Sequence, residues 1–99
     1  MQDHVRQLPI PGEAASDPNA IELLRVWAAK GKQQVALATE LWDDPANWGI
    51  MLVDLVKHIA NAYEQTEGLN RSETVDRIRA GLEAEWSSAT DDPTGQVMK

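Results

Sequence analysis

From Asp44 onward the chain reads DPANWGIMLVDLVKHIANAYE, and no other stretch restricts the fold as much. Trp48, Met51, Leu52, Leu55, Val56, Ile59, Ala62 and Tyr63 recur three and four residues apart, so a helix gathers them onto one broad apolar face. Asp44 stands immediately before Pro45. A carboxylate there accepts a free N–H of the first turn, and the donor that proline lacks is not needed in that turn. Asn47, three residues past the cap, adds a second capping side chain. A helix that starts here and buries such a face is the central helix of any core the chain forms.

The same device at Asp17–Pro18 predicts a first helix. Ala20, Ile21, Leu23, Leu24, Trp27 and Ala28 supply its apolar positions, with Lys30 and then Gly31 as its C-terminal stop. KQQVALATEL then changes period. Val35 and Leu37 fall on one side, Ala36 and Ala38 on the other, which reads as the one strand. A last helix begins at NRSE with Asn70 or Ser72 as cap, and Val75, Ile78, Leu82 and Trp86 form its narrow apolar stripe. The expected architecture is an α+β domain in the order helix, strand, helix, helix over residues 17–86. An extended N-terminal arm over 1–16 precedes it, and a mobile polar tail over 87–99 follows.

A single strand leaves backbone donors and acceptors unpaired, at about 1–3 kcal/mol for each buried one. The partner expected for it is either the arm around Val5–Leu8 or the same strand of a second subunit across a two-fold axis. A homodimer is therefore expected, with a larger protein as the other candidate partner. Trp27, Trp48 and Trp86 read as core. Trp42, in the connection before Asp43, is the candidate for an interface or pocket wall. Gly49 and Gly81 lie inside helices, where close approach of another helix would explain them.

Composition narrows the function classes. Lys+Arg 9 against Asp+Glu 16 gives a net charge of -7, which repels phosphate backbones and anionic headgroups, so neither nucleic acid nor membrane is an expected partner. With no cysteine there is no disulfide, thiolate metal site or cysteine nucleophile. The N-terminal sequence lacks a basic segment followed by an apolar run, and a cytoplasmic location is expected. The chain carries no phosphate-binding glycine loop, dinucleotide fingerprint, nucleophile elbow or HExxH. No cofactor and no metal is expected, and no catalytic residue is assigned.

One constellation has chemical potential. Asp54, His58 and Asn61, followed by Gln65, are spaced four, three and four apart on the side of the central helix away from its apolar face. A carboxylate and an imidazole one turn apart can orient a general base or supply two metal ligands, but a metal site needs a third. A solvated helix face or a polar interface patch accounts for the same pattern.

LPIP in the arm, LLRVWAAKG, the junction LWDDPANWG and KHIANAY together resemble a small bacterial family known only as a domain of unknown function. The likeness runs from Leu8 to Trp86. It implies a bacterial origin and a compact α+β domain, with no activity attached. The function expected is non-catalytic protein–protein interaction, as a module or an accessory subunit. The alternative is a small-ligand site or minor enzyme at a subunit interface around His58 and Asp54.

Overall fold

In the computed structural model, which describes residues 4–88 and 97–98, the segment expected to form the first helix is a strand. Asp17–Pro18 makes a tight turn instead. The Asp17 carboxylate accepts the Asn19 N–H at 2.9 Å and the Asp17 carbonyl accepts the Ala20 N–H at 3.1 Å. Beyond it β1, Leu24–Ala29, pairs antiparallel with β2, Lys32–Leu37, in a register that sets Val26 against Val35 and Trp27 against Gln34. The loop between them is Lys30–Gly31, with φ of 53° and 72°. Two successive residues in that left-handed region form the type I′ turn whose twist matches paired strands.

The physical reason for the correction is competition. Only twelve residues separate Pro18 from Gly31, a length at which an isolated helix is marginal. The hairpin gives the same backbone a cross-strand partner, and Val26 and Trp27 favour a pleated surface. β2 therefore finds its ladder within the chain, in β1 and not in the arm. Val97–Met98, β3, adds a short parallel pairing on the other side of β2, giving the order β1-β2-β3. Most of the expected polar tail, residues 89–96 and 99, lies outside the described residues. Within the arm, Gly12–Ser16 forms a five-residue helix, α1.

The chain is α+β, as the sequence indicated, in the order α1, β1, β2, then two long helices, α2 (Ala46–Glu67) and α3 (Arg71–Ser87), and β3. Its contacts group into two compact units, one made of the arm, α1 and the sheet, the other of α2 and α3. In the helical unit α2, Ala46–Glu67, starts where expected. The Asp44 carboxylate accepts the Ala46 N–H at 2.9 Å, and the Trp48 N–H donates to the Pro45 carbonyl at 3.0 Å. Its 22 residues end at Gly68, whose φ of 68° lets its N–H turn back to the Glu64 carbonyl at 3.1 Å.

Asn70, the first of the two expected caps, opens α3, Arg71–Ser87. Its side-chain oxygen accepts the Glu73 N–H at 3.0 Å, and its carbonyl accepts the Thr74 hydroxyl at 2.8 Å. Across the hairpin the Arg71 guanidinium donates to the Asn61 side-chain oxygen at 3.2 Å.

Two packing expectations are overturned. Trp86 is 84% exposed and is no core residue, while Trp27 and Trp48 are only half-buried. Gly49 and Gly81 have nothing within 4 Å of where a Cβ would stand, so no close helix approach requires them.

Candidate functional site

The helical spacing that grouped Asp54, His58 and Asn61 holds, since all three lie on α2. Asp54 and His58 are exposed, and no hydrogen bond joins them. The half-buried Asn61 is occupied by Arg71, so its amide serves as a tie between α2 and α3. An imidazole in that setting has neither an orienting partner nor walls to hold a substrate against it. Among the described residues no group of three or more His, Asp or Glu stands close enough to hold a metal ion.

Trp42 is half-buried and packs edge-on against Trp48, with ring centroids 5.1 Å apart and planes at 82°. This edge-to-face contact is a favoured aromatic arrangement. It holds the entry segment against the first turn of α2.

Sequence reading missed two features. The first is a cleft of about 750 Å³ between the arm, α1 and β1, walled by Leu8, Ile10, Ile21 and Trp27 with Arg6 and Arg25 at its polar points. Arg25 is already engaged by Glu22 at 2.6 Å, and His4 lies edge-on over Trp27 with centroids 5.0 Å apart. The cleft contains no nucleophile with a neighbouring base. It went unseen because it exists only once residues 24–29 form a strand.

The second is the thin packing of the α2–α3 hairpin. Near the Gly68 turn Ala60 is fully buried and Thr74 nearly so. Away from it Val53 is 54% exposed, Ile50 64%, Leu82 50% and Trp86 84%. Leu52, Leu55, Ile59 and Tyr63, from the broad apolar face, are each more than a third exposed as well. Large side chains at both helices thus remain in water along most of the hairpin. Val53 sits seven residues before the buried Ala60 on the same side of the helix, a signal available in the sequence.

Residues 7–90 match the family described as Domain of unknown function (DUF5076). The chain belongs to that family. No curated protein matches it. It is similar to a solved structure from the photosynthetic bacterium Rhodopseudomonas palustris, provisionally described as a pyruvate dehydrogenase. That structure is 31% identical over 99% of this chain and 100% of that one, with a TM-score of 0.70. Among the described residues no helix is long and apolar enough to cross a membrane.

Proposed function

We propose that the chain is a non-catalytic protein–protein interaction module that acts by self-association or as an accessory subunit. The observation that carries this reading is the exposed apolar surface of the α2–α3 hairpin. On α2, Leu52, Leu55, Ile59 and Tyr63 fall on one side and are between 38% and 47% exposed, a contiguous apolar face of the kind that marks a protein–protein contact.

The dehydrogenase description of the similar structure fits an accessory role better than a complete enzyme. A chain of 99 residues divided between a sheet unit and a helical hairpin has little interior in which to enclose a large cofactor and a substrate together. The lack of cysteine fits a reducing cytoplasmic setting.

The test is purification of the tagged chain from its own host under native conditions, with light scattering for mass and mass spectrometry for company. The expected result is an assembly well above 11.0 kDa. A monomer without company at every concentration overturns the reading.

A further inference from the structure

We infer that the apolar face of α2 is a self-complementary seam on which a second copy of this chain docks antiparallel, about a two-fold axis near Lys57. The inference rests on the interaction-module reading and names the first partner. Trp48, Leu52, Leu55, Ile59, Ala62 and Thr66 follow one another at spacings of four, three, four, three and four. That is the alternation of a helix–helix seam, and it reads the same from either end. In an antiparallel pair Leu55 therefore meets Ile59 of the second copy, Leu52 meets Ala62, and Trp48 meets Thr66. The two outer layers set a large side chain against a small one, as interdigitated packing requires.

The surface is available and uncharged. Leu52 is 47% exposed, and Leu55 and Ile59 are 38% each. Ala62 and Thr66 are exposed. The charged residues of this stretch, Asp54, Lys57 and Glu64, project from the opposite side of the helix. From Trp48 to Thr66 the seam runs about 27 Å, long enough for several layers of contact.

The antiparallel register also accounts for two features that the single chain leaves without a reason. Gly49 interrupts α2 although nothing lies within 4 Å of its missing Cβ, and Tyr63 is 46% exposed. Beside this seam Gly49 of one copy faces Tyr63 of the other, so the open space at the glycine receives the phenol ring. The opposed α2 dipoles add a small favourable term.

The absence of native cysteine makes the geometry directly readable. Sedimentation equilibrium of the full chain is expected to give twice 11.0 kDa. Ile59→Glu is expected to weaken association at least 100-fold with helix content retained, while Lys57→Glu on the far side leaves it unchanged. Under mild oxidation a mixture of Leu55→Cys and Ile59→Cys chains is expected to form a disulfide between copies, because those positions face each other across the seam. Thr66→Cys is not, because its own copy lies about 27 Å away and a disulfide spans less than about 7 Å between Cα atoms.

A wild-type monomer at all concentrations overturns the inference. So does a dimer that survives Ile59→Glu, or one in which Thr66→Cys cross-links and the Leu55→Cys and Ile59→Cys mixture does not. If the chain is a monomer yet purifies with another protein at fixed stoichiometry, this inference falls and the interaction-module reading stands. A monomer without company ends both.

Discussion

Asp17–Pro18 and Asp44–Pro45 open with the same hydrogen bonds. In each, the carboxylate accepts the N–H two residues on at 2.9 Å, and the aspartate carbonyl accepts the N–H three residues on at 3.1 Å. The two paths then part. At the second site the Trp48 N–H reaches the Pro45 carbonyl and 22 residues of helix follow, whereas beyond Ala20 the backbone extends into β1. Capping chemistry thus announces a turn and leaves its sequel open. The sequel depends on how much uninterrupted helical period comes next, and on whether a neighbouring segment offers a ladder.

The largest effect is expected at the hairpin loop. Gly31→Ala places a Cβ at a φ of 72°, so a loss of about 1–2 kcal/mol is expected in urea unfolding. Helix content by far-UV circular dichroism should not rise. A rise would show that residues 20–30 choose by propensity, and that strand pairing is not what decides.

Next is the cap itself. Asp44→Ala is expected to cost about 1 kcal/mol, because the Ala46 N–H loses its acceptor. The helix interior gives a similar effect of opposite sign. Gly81→Ala should add a little under about 1 kcal/mol, because no neighbour occupies the space a methyl group would fill. The smallest effect is at the other Asp–Pro. Asp17→Ala should cost only about a few tenths of a kcal/mol, as expected for an exposed turn that caps no helix. Equal losses at Asp17 and Asp44 would mean that the two turns support structure equally, and that the helix following Asp44 adds nothing to the worth of its cap.

Helices α2 and α3 were legible because each combines a long 3.6-residue period with a cap whose partner lies within the same few residues. Asn70 and Asp44 both cap as their positions implied. The strand β1 was not, because Ala20, Ile21, Leu23, Leu24, Trp27 and Ala28 fit a helical period over a window too short to exclude a strand. Gly31 could not arbitrate. The left-handed conformation it adopts serves a helix stop and a type I′ loop alike.

The candidate site was legible only as a face. Spacing placed Asp54, His58 and Asn61 together on α2, but the use of Asn61 is set by Arg71, ten residues further on and in another helix. Periodicity within one helix carries no information about that. The Trp86 stripe has the same weakness, since it continues past the point where burial stops.

The two-residue loop at Lys30–Gly31 also bears on the order in which the molecule assembles. It joins strands that are immediate neighbours in sequence, and the three residues between α2 and α3 do the same for the helices. Both hairpins therefore close over short loops at small entropic cost, the kind of topology that folds in microseconds to milliseconds. Val35 with Val97 and Ala36 with Met98 must instead close a loop of about 60 residues. Folding is accordingly expected to proceed from two fast local events, with the parallel pairing of β3 as the late step.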